Sequence, residues 1–383
     1  MKQKSIIIIG GGIGGIVTAR DLRKHIGSQH KIILIDRHSY HAFQPSFLWV
    51  VIGWRTPAVI IKPFTSLEKY GIEFHQADVI SIEKNDKLIV TDQGNFHFDY
   101  LVIALGADND LPEGISENIR ANTFYTFEGA VELSKVVPTF PGGKIEISQS
   151  DEDIKYPFAP FDAAFLLSSF YQKRGIGDVE IIINSPNQEP LPFASAEINL
   201  HLRKLLDEHH INFLSDSHLN KKQNGQHSSI LIQKKSSSQD ISIYIPSMKP
   251  PDALRTSNML DESGWIKVNK RTLQTDFDNI YAIGDCIGIK MENGKLMPKA
   301  GIFANNQAEV VAYNISQELE KNSDRKEFSG YGFFFVETGN GRASYIHGNL
   351  TTDTKSKLSW TDPNVTLHWS KVVLEKYWLW RWL

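Results

Sequence analysis

The chain is predicted to be α/β, with two successive parallel-sheet units and a shorter, separate C-terminal region. Two observations carry that prediction. Short strand-like runs rich in Ile, Val and Leu recur at Ser5–Ile9, Lys31–Ile35, Leu101–Leu105, Lys144–Ile147, Val179–Ile183 and Ile280–Ile283. Between or after them lie helix-period stretches at Ile13–Ile26, Phe161–Arg174, Ser195–His209 and Ala300–Leu319. The length agrees: 383 residues, 41% hydrophobic and 22% charged, suffice for two or three domains with real cores.

Taken in order, Ser5–Ile9 is a strand and Gly10–Gly15 a turn. Ile13–Ile26 is a helix ended by Gly27, and Lys31–Ile35 is a second strand ending at Asp36. The start Met1-Lys-Gln-Lys mimics the basic end of a signal peptide. Glycines interrupt the apolar run at once and no cleavage site follows before Arg20, so the run is expected to be a buried strand. The Pro/Gly-rich break Val137–Gly143 opens the second α/β unit. Lys221–Ser238 is polar and is expected to be a hairpin turn with its flanks. Strand-like runs at Gly332–Glu337 and Ala343–His347 precede an aromatic tail. No apolar stretch reaches the roughly 18–20 residues of a membrane-spanning helix.

Charge and cysteine content narrow the chemistry. Lys+Arg 41 against Asp+Glu 44 gives a net charge of −3, which gives no support to a nucleic-acid-binding surface. The single cysteine excludes an internal disulfide, a CxxC redox pair and an all-cysteine metal site, and fits a reducing compartment. No spacing of ligands resembles a metal site.

Gly10-Gly-Gly12-Ile13-Gly14-Gly15 fits the G-x-G-x-x-G fingerprint. Gly10 permits the tight turn, Gly12 lets backbone approach a pyrophosphate, and Gly15 lets the helix pack on the strand. The helix N-terminus then offers free N–H groups to phosphates. Asp36, 21 residues after Gly15, stands where a carboxylate meets ribose hydroxyls, with Arg37 beside it. This motif alone does not separate NAD from FAD. Asn279-Ile-Tyr-Ala-Ile-Gly284-Asp285-Cys286 resembles the late motif of flavoproteins with two dinucleotide folds, whose Asp accepts a hydrogen bond from the FAD ribityl chain. Tyr100-Leu-Val-Ile-Ala104-Leu-Gly106-Ala107 resembles their middle motif. Three motifs in order point to FAD, with Val79 added to the expected cofactor contacts.

The chain as a whole resembles the sulfide:quinone oxidoreductase family, within the group that includes type II NADH dehydrogenases. The resemblance rests on the fingerprint; on Phe43-Gln-Pro-Ser-Phe-Leu-Trp-Val50 with Gly53 and Arg55; and on Tyr156-Pro-Phe-Ala-Pro-Phe-Asp-Ala-Ala-Phe165. Tyr281–Asp285, Pro298-Lys-Ala-Gly301 and the aromatic C-terminus complete it. It implies two Rossmann-like folds, as in glutathione reductase: an FAD-binding domain in two parts, 1–115 and 246–325, a second domain at 116–245, and a membrane- or quinone-associated region at 326–383. It also implies catalytic roles for Pro45, against the flavin, and Lys299, near its pyrimidine end at the start of a helix. The family's sulfide chemistry uses cysteines, and the matching positions fall near Tyr125, Tyr156 and Phe334. Neither a phenol of pKa about 10 nor a phenyl ring replaces a thiolate, so that chemistry is not expected. An NADH site is not expected either: Lys144-Ile-Glu-Ile-Ser-Gln-Ser-Asp-Glu-Asp153 has no glycine and three closing acids where a second fingerprint would stand. Three functions stay open. The first is electron transfer from an unidentified donor through FAD to a membrane quinone. The second is type II NADH:quinone reduction, and the third a flavin-holding sensor or scaffold.

The remaining features are weighed against plainer readings. Cys286 is expected to be a small buried residue rather than a redox group. His38 and His41 could carry protons near the flavin, but a polar loop is the reading preferred. Tyr331, Phe333, Phe334 and Phe335 are candidates for quinone stacking or for a core strand. Five of the eight tryptophans lie in the last 24 residues, and Leu367–Leu383 is expected to be helical. On its wheel His368, Lys371 and Glu375 cluster, while Trp369, Val373, Tyr377 and Trp380 form another stripe. That pattern suits a helix lying in the headgroup layer, a dimer contact or a lid over a pocket. The resemblance favours membrane, placing the protein in the cytoplasm, peripheral on the inner face of the cell membrane. A homo-oligomer is left open.

Overall fold

The computed structural model describes residues 2–111, 121–215, 240–292, 294–351 and 358–383. The expected turn at Lys221–Ser238 lies outside them. Two parallel five-stranded sheets form the frame. The first runs, in spatial order, Ile280–Ala282, Tyr100–Ile103, Ser5–Ile9, Lys31–Asp36, Glu73–Gln76. The second runs Ala121–Asn122, Ile241–Ile245, Gly143–Gln149, Val179–Asn184, Ile211–Leu214. Ile6, Ile7, Ile8 and Ile9 are fully buried, because helices cover both faces of a parallel sheet and leave no side for polar residues. The expected N-terminal strand is therefore present.

The first helix, Ile13–Ile26, starts directly after Gly12 and ends at Gly27 with φ +55°. It packs against the long helix Gly301–Leu319. Gly301 permits this contact, since a Cβ there would lie 2.5 Å from Ile13 Cδ1. The helix expected at Phe161 begins earlier, at Ala159, with Pro160 in its first turn, where a missing N–H costs nothing.

Several elements went unread in the sequence, among them a helix and a small sheet near the first unit. The helix Phe127–Val136 is capped by Thr126, whose Oγ1 accepts a hydrogen bond from the Gly129 N–H at 3.1 Å. The antiparallel strands Val79–Glu83, Leu88–Thr91 and Gly94–His97 form a small surface sheet. The C-terminal region is an antiparallel sheet of Tyr331–Glu337, Ala343–Asn349 and Leu358–Asn364, followed by the helix Val365–Trp382. No helix among the described residues is long and apolar enough to cross a membrane.

Candidate active site: a dinucleotide cavity closed by the C-terminal helix

The strand ends of the first sheet open into one cavity of about 1170 Å³. Gly10, Gly12, Ile13, Gly14, Asp36, Arg37, Pro45, Val79, Ala104, Gly106, Gly284 and Asp285 all line it. Gly15 stands behind the wall, where a Cβ would lie 1.8 Å from the Gly10 carbonyl oxygen. A Cβ on Gly10 would lie 2.3 Å from the Ala104 oxygen, and its φ is +100°. Gly12 has nothing within 4 Å of its Cβ position and so opens onto empty space. Two helices begin at this space, Ile13–Ile26 and Gly301–Leu319; neither has a side-chain cap or an acid in its first turn. Their free N–H groups and dipole ends suit an anion. Asp36 accepts hydrogen bonds from the Gly11 N–H at 2.6 Å and the His38 N–H at 2.8 Å, fixing the loop. A dinucleotide with a pyrophosphate at Gly12 fits these residues.

Lys299 differs from the rest. It is not in the wall of the large cavity but lines a neighbouring pocket of about 240 Å³. Its Nζ donates to the carbonyls of Asp285, at 2.5 Å, and Ile287, at 3.0 Å, and lies 3.3 Å from the centre of the Trp265 ring. Burial lowers its pKa to about 8. The same pocket is lined by Asp151, Glu152 and Asp153, just past the end of the central strand of the second sheet, where a second dinucleotide would sit. Cys286 is buried, and burial pushes its thiol up to about 11, out of the range of a reactive thiolate. His41 is not part of an exposed loop. Its Nδ1–H donates to the Gly11 carbonyl at 3.1 Å, and burial lowers its pKa to about 4, so the ring stays neutral at pH 7 with its N–H committed to that carbonyl.

The far end of the cavity is made by the tail. Lys371, Leu374, Glu375, Tyr377, Trp378 and Trp382 line it, with Trp378 5.1 Å from the Phe43 ring. The helix buries a polar stripe as well as Trp378, Leu379 and Trp382. His368 and Glu375 are 2% exposed, while Trp369 is 59%, Val373 63%, Tyr377 46% and Trp380 76% exposed. Glu375 is held by Arg55 Nη2 at 2.7 Å and by the Ser46 hydroxyl at 2.6 Å, next to Pro45. Lys371 Nζ lies 3.3 Å from Asp162 and 3.6 Å from Glu337, and His368 Nδ1 lies 3.0 Å from Glu337. Burial raises Asp162 to about 7 despite the Lys371 charge, so it holds a proton for part of the time at neutral pH. Tyr156 donates its hydroxyl to the Phe335 carbonyl at 3.1 Å and to Asp162 at 3.3 Å. The sequence reading grouped His368, Lys371 and Glu375 but missed Asp162 and Glu337. An acid inside the apolar run Ala159–Lys173 was the available signal.

The aromatic candidates divide. Phe334 is buried 4.8 Å from Phe158 and belongs to the core. Phe333 and Phe335 face the other way, in a ladder with Tyr345 at 5.8 and 5.1 Å. Phe333, Phe334 and Phe335 all reach the cavity wall.

Comparison with known proteins places this geometry. The family model for pyridine nucleotide-disulphide oxidoreductases matches residues 4–136 and 163–305. The chain belongs to that family. It is an oxidoreductase with FAD as its cofactor. It is similar to the sulfide-quinone reductase of Aquifex aeolicus, 25% identical and covering 99% of this chain and 91% of that protein. It is also similar to the type II NADH:quinone oxidoreductase of Staphylococcus aureus, 24% identical over 88% of this chain and 86% of that one. The X-ray structure of the Aquifex aeolicus sulfide:quinone oxidoreductase superposes with a TM-score of 0.86 at 24% identity, covering 99% of this chain and 91% of that one. At that identity the superposition speaks for the fold.

Proposed function

We propose that this flavoprotein passes electrons from a reduced donor through FAD to a membrane quinone, docked by its C-terminal helix on the inner face of the cell membrane. One observation carries the reading: the helix that closes the cofactor cavity turns its aromatic face to the outside. Trp369, Val373, Tyr377 and Trp380 form that face, and Trp and Tyr are the side chains that settle at headgroup level. A lipid-borne acceptor would thus meet the cavity at the membrane surface. FAD supplies two-electron chemistry when bound.

The protein's own groups supply the rest. Turning a quinone into a quinol takes two electrons and two protons. Asp162, raised to about 7, sits beside Lys371 within the same cavity and can hold and release a proton there. Phe333 and Phe335 offer flat apolar surface at the cavity wall. Tyr125, Tyr156 and Phe334 provide no thiolate, which argues against cysteine-based sulfide chemistry.

Anaerobic titration of the holoprotein with sulfide, NADH, NADPH and small thiols, followed by a short-chain quinone, tests this. The expected result is no bleaching by sulfide and rapid recolouring of chemically reduced protein by the quinone. Failure of the quinone to recolour it overturns the proposal and favours a sensor or scaffold role. Bleaching by NADH alone turns the reading into NADH:quinone reduction.

A further inference from the structure

The loop between strand Gly143–Gln149 and helix Ala159–Lys173 stands where a second nucleotide-binding turn would be. It forms the wall between the two pockets. Asp151, Glu152 and Asp153 face the smaller one, while Lys155 and Tyr156 face the FAD cavity. Lys155 was not singled out in the sequence, and FAD binding does not by itself assign it a role.

Its Nζ lies 3.0 Å from Asp285 Oδ2, with the two side chains 20% and 10% exposed. The pair joins the second sheet unit to the motif of the first across the cavity. The backbone around Lys155 is held on both sides. Its carbonyl accepts the Tyr125 hydroxyl at 2.8 Å, and the next N–H, of Tyr156, donates to the Lys299 carbonyl at 2.8 Å. Tyr156 has φ +51°, a left-handed conformation that a tyrosine keeps only when its surroundings impose it. Lys155 is therefore no loose surface lysine. The two tyrosines at positions resembling redox cysteines act instead as its clamp.

The placement of the two lysines gives the clamp a purpose. Lys155 meets the Asp285 carboxylate on the FAD side, whereas Lys299 Nζ faces the Asp285 carbonyl and lines the smaller pocket with Asp151, Glu152 and Asp153. We infer that Lys155 is a cofactor-positioning residue: it orients the Asp285 carboxylate and places a fixed positive charge beside bound FAD that favours acceptance of electrons. This rests on FAD binding and not on the identity of the acceptor.

The test is spectroelectrochemistry on the holoproteins Lys155→Met, Lys155→Gln and Lys155→Arg, with FAD retention on dilution as a second readout. Met and Gln are expected to shift the oxidised–reduced equilibrium about tenfold toward the oxidised form, about 30 mV for two electrons. Arg, which keeps the charge, should stay within twofold of wild type. A Met or Gln equilibrium within twofold of wild type overturns the inference, as does an Arg shift as large as theirs. Wild-type protein gives a check that needs no folded variant. Acetic anhydride labelling, read by mass spectrometry, should modify Lys155 at least tenfold more slowly with FAD bound than without, and equal rates overturn the inference.

Discussion

Lys371 is the residue on which the buried charge cluster turns. It faces two carboxylates, Asp162 and Glu337, and burial leaves neither with water to replace it. Removing one member of such a buried set strands the others, at a typical cost of about 3–5 kcal/mol. Lys371→Met should lower stability on that scale in urea unfolding and should slow recolouring by quinone. Two other buried groups make stability depend on pH with opposite signs. His41 has a folded pKa of about 4 against 6.5. Between those values the unfolded chain binds the extra proton, so stability falls as pH drops through the window. His41→Phe removes that loss, and the variant should gain on wild type by up to about 3 kcal/mol as pH falls from 6.5 to 4. Asp162 has a folded pKa of about 7 against 3.8. There the native state binds the extra proton, and its contribution is lost as pH rises toward 7. Subtracting the urea midpoints of Asp162→Asn from those of wild type should reveal a difference that declines over that range.

At the scale of elements, two structures carry the site. The fingerprint turn works by backbone contact, so Gly10 and Gly15 admit no side chain. Gly15→Ala would drive a Cβ against the Gly10 carbonyl, an atom that cannot swing aside. The purified variant should lack flavin absorbance, whereas Gly27→Ala, with open space around its Cβ position, should keep it despite its φ of +55°. The tail helix works in two directions at once. Deleting it would also remove Lys371 and Glu375 from the cavity, so outward substitutions separate its roles. Trp369→Ser with Trp380→Ser should cut sedimentation with anionic vesicles at least tenfold while the bound flavin spectrum stays unchanged. Unaltered vesicle binding would point to a protein partner on that face.

At the scale of the whole molecule, one sheet unit carries a glycine-rich turn after its first strand and the other does not. The second sheet retains the parallel order and the crevice at its strand ends, but Gln149 leads into acids instead of glycines, and Asp162 stands in the first turn of the following helix. Asp151, Glu152 and Asp153, which line the smaller pocket, oppose the phosphate that a helix N-terminus otherwise attracts. Pre-steady-state mixing with NADH is expected to bleach the flavin far more slowly than chemical reduction does. Rapid bleaching would mean that the acids turn away from a bound dinucleotide.

The sequence by itself determined four of the five strands of the first sheet, the fingerprint turn, Asp36, Asp285 and the lack of redox thiols. Each of these is legible because it depends on residue type at short spacing: four isoleucines in a row have no other home, and a Cβ at Gly10 or Gly15 would strike backbone. The tertiary structure decided what depends on distant neighbours. A helical wheel finds two stripes on Val365–Trp382 but not which is buried. The answer came from Arg55, Ser46, Asp162 and Glu337, all far away in the chain, which partner the polar stripe and leave Trp369 and Trp380 outside. Proton affinity and charge placement are of the same kind. Asp162 near 7, His41 near 4 and Lys155 over Asp285 follow from burial and partners that no local pattern contains.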